Sequence, residues 1–90
     1  MRRLYEALTA LNTPEECEKF LDDLCTVREL MDLSQRLEVA EYLRQGKNYQ
    51  TISQLTGAST ATICRVGKCL NYGGGGYETV LCRMEGKEQV

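Results

Sequence analysis

A chain of 90 residues, of which 42% are hydrophobic and 27% charged, has the length and composition of one globular domain and does not resemble a disordered segment. A domain of this size buries only about two-thirds of the surface of its unfolded chain, so pairing with a second copy is expected to add stability. The five cysteines include no CxxC pair and the chain has no histidine, which favours reduced thiols in the core over a metal site.

The first residues, Met1 to Arg3, are not followed by an apolar run. A secretory leader needs such a run of about seven to fifteen residues, and no segment has the length of a membrane span. We therefore expect a cytoplasmic protein that does not enter membranes.

Leucines at helical spacing predict a first helix over residues 2–11. Thr13 and Pro14 then predict the start of a second helix, because the Thr13 hydroxyl can accept the backbone N–H of Glu16 while the Glu16 side chain reaches back to the cap. Four apolar positions recur at helical spacing after this start: Cys17, Phe20, Leu21 and Leu24.

The same capping pattern at Thr26 and Glu29 predicts a short third helix over 27–32. A turn is expected next, with Ser34 capping a separate fourth helix over 35–45 that Gly46 ends in a left-handed conformation.

Asn48 is expected to cap a fifth helix over 49–56, whose Ile52 and Leu55 face a core, and Gly57 stops it. Ser59 or Thr60 then caps a sixth helix that runs to about residue 70. Its inner face is predicted to consist of Ile63, Val66 and Leu70.

Four consecutive glycines at 73–76 predict a flexible connector, since no strand precedes them and no Gly-Lys-Ser/Thr follows to form a phosphate-binding loop. A last helix over about 77–85 and a polar tail that frays complete the chain. The sequence therefore predicts an all-α fold of six to seven short helices in a single domain over residues 1–90.

Charge is strongly segregated along the sequence. Residues 1–41 contain ten acids and five bases, whereas residues 42–77 contain four bases, Arg44, Lys47, Arg65 and Lys68, and no acid at all. A surface formed by this acid-free segment would meet phosphate with little repulsion.

Residues 48–70 also have the pattern of a helix-turn-helix, two short helices joined by a tight turn with glycine at the reversal. Apolar side chains of the two helices, Ile52, Ile63 and Val66, would form the wedge between them. The remaining positions predict a DNA-binding face, with short side chains near the bases at Ser59, Thr60, Ala61 and Cys64, and backbone contacts at Gln50, Ser53, Arg65 and Lys68.

The segments GASTATICR at 57–65 and VAEYLR at 39–44 resemble the tryptophan repressor superfamily, and Asn71-Tyr72 with the glycine run resembles its YerC/YecD branch. The resemblance covers roughly residues 17–85. It implies an intertwined homodimer, a transcriptional regulator expected to repress, and double-stranded DNA with inverted half-sites about one helical turn apart.

The resemblance also implies a place for a small ligand, lined by Gln35, Thr62, Arg65, Val66 and Cys69. Thr62 and Arg65 match the family, but glutamine replaces an arginine at 35, valine a glycine at 66, and cysteine a serine at 69. A branched side chain narrows the slot and a lost arginine removes a bidentate carboxylate partner. The sequence therefore argues against tryptophan as a corepressor and implies no other cofactor, while another small effector, or none, stays open.

An enzyme is not expected, because histidine is absent and no serine or cysteine has an evident base. A helical protein–protein interaction module without DNA binding is the remaining alternative, and it differs from a DNA-binding protein in being indifferent to duplex DNA at low salt.

Overall fold

The computed structural model describes residues 1–88, with side chains through Gly86, and within them it forms helices and no strand, as the all-α prediction required. None of the helices in this part of the chain is long and apolar enough to span a bilayer. The chain divides into two compact units, residues 1–32 and residues 33 onward. The helices are α1 Arg2–Thr9, α2 Pro14–Leu24, α3 Val27–Arg44, α4 Tyr49–Thr56, α5 Thr60–Tyr72 and α6 Gly76–Glu88.

The first unit contains α1, α2 and the beginning of α3. Helix α2 starts as predicted, with Thr13 Oγ1 accepting the backbone N–H of Glu16 at 3.1 Å. The predicted return bond differs, because Glu16 Oε1 accepts the backbone N–H of Asn12 at 2.8 Å rather than that of the cap residue. No side chain of α1 or α2 is buried.

The prediction of two helices between residues 27 and 45 was wrong, since α3 is one helix of 18 residues and Ser34 lies inside it. Neither glycine nor proline stands between Asp32 and Gln35, so nothing forces the backbone out of helical geometry. The cap at the start of α3 was predicted correctly: Thr26 and Glu29 exchange side-chain to backbone hydrogen bonds of 2.8 and 3.1 Å.

The second unit has a small apolar core. Val39 and Ala40 of α3 lie in it together with residues of the next three elements. Leu55 does not, because 54% of its surface is exposed, so the expected inward position of Leu55 was wrong. The buried set is Val39, Ala40, Ile52, Ala58, Ile63, Val66 and Leu81.

Helix α6 begins at Gly76 and runs to Glu88, three residues beyond the predicted end, and the rest of the tail lies outside the described residues. Leu81 anchors it in the core, and Arg44 of α3 pairs with Glu78 at 3.3 Å and Glu85 at 3.1 Å. Burial of the guanidinium by itself lowers the pKa of Arg44. The hydrogen bond to the Cys82 thiol and the two nearby carboxylates have a larger combined effect, and the pKa of Arg44 is raised. Arg44 therefore ties α3 to α6.

All five cysteines are free thiols. Cys17, Cys25 and Cys64 are partly buried, which fits the expected small apolar role. The expectation of core thiols was wrong for Cys69 and Cys82, which are exposed.

Candidate nucleic-acid interface

The first helix of the predicted pair, α4, is defined at both ends by local hydrogen bonds. Asn48 Oδ1 accepts the backbone N–H of Thr51 at 2.8 Å, the capping role expected from the sequence. Gly57 ends the helix at φ 74° and ψ 4°, the left-handed region in which a side chain would be strained. The cap at Asn48 and the left-handed glycine at position 57 therefore limit α4 to eight residues.

The turn between α4 and α5 comprises three residues, 57–59, and is closed by side chains of α4. Ser53 Oγ donates to the Ala58 carbonyl at 2.9 Å, and Thr56 Oγ1 accepts the Ala58 backbone N–H at 3.1 Å. Outside the pair, Gln35 Nε2 of α3 donates to the Thr56 carbonyl at 3.1 Å. The turn is thus held in one geometry by polar groups that would otherwise lack partners.

Apolar side chains fix the angle between the two helices. Ile52 of α4 and Ile63 and Val66 of α5 are fully buried, as predicted for the wedge. Gly67 is buried beside them, and a Cβ at that position would lie 3.3 Å from the Tyr49 hydroxyl. Glycine at position 67 therefore leaves room for the Tyr49 hydroxyl between the two helices.

Helix α5 starts at the predicted cap. Ser59 Oγ accepts the backbone N–H of Thr62 at 3.2 Å and donates to Thr62 Oγ1 at 3.1 Å. Thr60 and Ala61 follow on the outside and are exposed, and Cys64 is partly exposed one turn further along. The first two turns of α5 thus present a surface of short side chains.

Two cations, Arg65 and Lys68, border this surface. Both are exposed, and neither forms an ion pair within the residues that the structure describes. Gln50 is also exposed, on the first turn of α4. Arg44 does not join them, since its charge is matched by Glu78 and Glu85, so the positive surface of segment 42–77 is carried by fewer groups than the sequence suggested.

The positions that the resemblance implies for a small ligand are not equally open. Arg65 and Cys69 are exposed and Thr62 is partly exposed, whereas Val66 is in the core. The Gln35 amide is engaged with the Thr56 carbonyl. The role of these five side chains in ligand binding stays a prediction.

The sequence did not predict the roles of three residues of the site. Gln35 donates to the Thr56 carbonyl, Thr56 also accepts the Ala58 backbone N–H, and Gly67 lies against the Tyr49 hydroxyl. A signal was available for Gly67, because glycine inside a helix costs stability and commonly marks close packing. The hydrogen bond from Gln35 to Thr56 joins residues 21 positions apart, so no local sequence pattern predicts it.

Comparison with known proteins agrees with this geometry. The model of the Trp repressor protein family matches residues 1–85. The uncharacterized protein YerC of Bacillus subtilis (strain 168) is 51% identical over 86 residues, covering 96% of this chain and 83% of its own.

Two solved structures are also similar. A candidate Trp repressor from Staphylococcus aureus has a TM-score of 0.89 at 50% identity, covering 93% of this chain and 84% of its own. A TrpR-like protein from Eubacterium eligens ATCC 27750 has a TM-score of 0.89 at 45% identity, covering 93% and 87%. The matched family model spans nearly the whole chain, and the chain belongs to the Trp repressor family.

Proposed function

We propose that this chain is a sequence-specific DNA-binding transcriptional regulator that represses by placing α5 in the major groove of its operator. The observation that carries the proposal is the outer face of α5, in a segment without acids. There the short side chains of Thr60, Ala61 and Cys64 are followed by two exposed cations, Arg65 and Lys68, which form no ion pair within the described residues. A groove about 12 Å wide admits a helix with such a face. The docking geometry is carried over from the family, in which it is established.

Phosphate contacts are assigned to the exposed polar groups around this face. Arg65 and Lys68 supply charge, Gln50 supplies an amide, and the first turns of α4 and α5 offer backbone N–H groups. Ser53 and Ser59 were predicted to contact DNA directly, but their hydroxyls already serve the turn and the helix cap. Their proposed role is to hold α4 and α5 in the geometry that the groove requires.

A second copy of the chain is the proposed partner. The first unit buries no side chain of α1 or α2, and it exposes apolar residues that water does not favour. Family membership supports a homodimer in which these residues are covered. The exposed set is Leu4, Leu8, Leu24, Val27 and Met31.

Tryptophan is not the proposed corepressor. The residue that would have to bind its carboxylate is Gln35, whose amide is neutral and already donates to Thr56, and the slot that would take its indole is occupied by the buried Val66. An effector of another kind, or regulation without an effector, is compatible with these contacts.

Binding to duplex DNA tests the proposal directly. Fluorescence anisotropy of the full chain against a genomic fragment pool should show binding that weakens steeply with salt. Because each substitution removes one phosphate contact from each of the two copies, Arg65→Ala and Lys68→Ala should each make the slope of log affinity against log salt shallower by about two units. Lys19→Ala removes the same charge from the acidic helix α2 and is the matched control, with an unchanged slope.

The competing function is an interaction module that binds protein instead of DNA. Absence of salt-sensitive binding to any fragment would reject the regulator and favour that module.

Recognition of DNA by a dimer has its own test. Insertion of about half a helical turn of DNA, roughly 5 base pairs, between two half-sites should abolish tight binding. The two reading helices would then face opposite sides of the duplex.

A further inference from the structure

The chemistry of the reading face depends on which polar groups of α5 are free to bond to DNA. Ser59 Oγ gives its only proton to Thr62 Oγ1 and accepts the Thr62 backbone N–H. The Ser59 donor is therefore committed at the helix start, whereas Thr62 Oγ1 keeps its own proton on a side chain that is only partly exposed. Ahead of Arg65, the side chains of α5 that remain on this outer face are Thr60, Ala61 and Cys64.

These three side chains display two methyl groups, a hydroxyl and a thiol. None is a planar amide or guanidinium, the groups that bond an adenine or a guanine through two hydrogen bonds at once. The feature of the major groove that matches a methyl-rich surface is the C5-methyl group of thymine. Thr60 and Ala61 are exposed at adjacent positions of the first turn, so their methyl groups are available to the same stretch of groove.

Resting on the regulator function proposed above, we propose that α5 selects its half-site by packing the methyl groups of Thr60 and Ala61 against thymine C5-methyl groups. The preferred half-site carries thymines beneath the N-terminal turn of α5. Arg65 lies one turn beyond Ala61 on the same side of the helix, and its proposed contact is with phosphate. Specificity in this turn comes from apolar contact, and the cations add affinity that is nearly independent of sequence.

Replacing thymine by uracil removes the methyl group alone and leaves base pairing intact. In a duplex selected by the wild-type chain, uracil is introduced at one position at a time, and affinity is measured by anisotropy at fixed salt. We expect an affinity loss of about fourfold at one or two positions in each half-site, the effect of one buried methyl group. Uracil at the remaining positions should leave the affinity unchanged.

Thr60→Ser assigns the contact to a residue, because it removes one methyl group and keeps the hydroxyl. In this variant the uracil effect should vanish at the position that Thr60 contacts and remain at the position of Ala61. Thr79→Ser makes the same change on an exposed position of α6 and should retain every uracil effect. Comparing uracil and thymine duplexes within each variant cancels any change in folding.

The possible results separate this inference from the function on which it rests. Salt-sensitive binding with no loss on uracil substitution at any position overturns thymine selection and leaves the regulator function standing. A uracil effect that persists in full in both Thr60→Ser and Ala61→Gly also overturns it, since the methyl contact then lies elsewhere. Absence of duplex binding by the wild-type chain rejects both.

Discussion

The two units of the chain treat their apolar side chains in opposite ways. In residues 1–32 no side chain is buried, and Val27 and Met31 expose 74% and 62% of their surface. The unit from residue 33 onward buries seven side chains in its own core. The two units also differ in charge, with a net charge of −4 over residues 1–32 and +2 over residues 33–90. The second unit therefore has an apolar core of its own that holds α5, whereas the first unit leaves its apolar side chains exposed for the partner proposed above.

The largest expected effect separates stability that comes from the core of one chain from stability that comes from pairing with a second copy. Ile63→Ala removes a fully buried side chain and should lower the free energy of unfolding by about 2–5 kcal/mol at every protein concentration. If a second copy covers Leu24, as proposed, Leu24→Ala in α2 should cost at least about 1 kcal/mol in concentrated solution and progressively less on dilution. Urea titrations at several concentrations measure both. A cost for Leu24→Ala below about 0.5 kcal/mol at all concentrations would contradict pairing through the first unit.

The next effect concerns the bond that holds the turn. Gln35→Leu leaves the Thr56 carbonyl without its donor and should cost about 1–3 kcal/mol of unfolding free energy and weaken binding to the operator. Gln54→Leu changes an exposed residue of α4 and is the matched control.

Saturating L-tryptophan should alter neither the stability nor the DNA affinity of the wild-type chain. An increase in operator affinity on adding tryptophan would refute the proposed independence from it.

A smaller and pH-dependent effect is expected at the start of α3. Hydrogen bonds from the Thr26 backbone N–H and hydroxyl lower the pKa of the Glu29 carboxyl below its ordinary value of 4.5. The carboxylate therefore contributes stability that is present above pH 4.5 and is lost as the pH falls through the lowered value. Thr26→Ala should cost about 1 kcal/mol at neutral pH.

Glu29→Gln separates charge from capping in the same place, because an amide can also accept the Thr26 bond. Thermal melts between neutral and acid pH should show a smaller loss of stability below pH 4.5 in this variant than in the wild type. Equal pH profiles for the two proteins would contradict the assignment.

The smallest effect is expected for an exposed ion pair. Arg28 and Asp32 lie four residues apart on α3 at 3.5 Å, with both side chains largely in water. Arg28→Ala should change the unfolding free energy by no more than about 0.5 kcal/mol, and added salt should remove the difference. A cost above about 1 kcal/mol in urea titrations would place these residues in a buried contact of the dimer instead.

Local signals in the sequence located most helix ends correctly. Four helices begin at a side chain that accepts the backbone N–H three residues ahead, at Thr13, Thr26, Asn48 and Ser59. Gly57 ends α4 because it adopts a positive φ. The false break at Ser34 has the opposite cause. A serine is compatible with both a cap and a helix interior, so its presence does not decide between them.

The sequence by itself determined the helical content, the caps, the glycine-hinged pair and the absence of acids from the segment that carries it, because each depends on residues within a few positions of one another. Tertiary structure decided which of those groups are free. It engaged Arg44 with α6 and Gln35 with the Thr56 carbonyl, and it left Leu55 outside the core. Such pairings follow from the packing of helices that are distant along the chain, and no local pattern of residues encodes them.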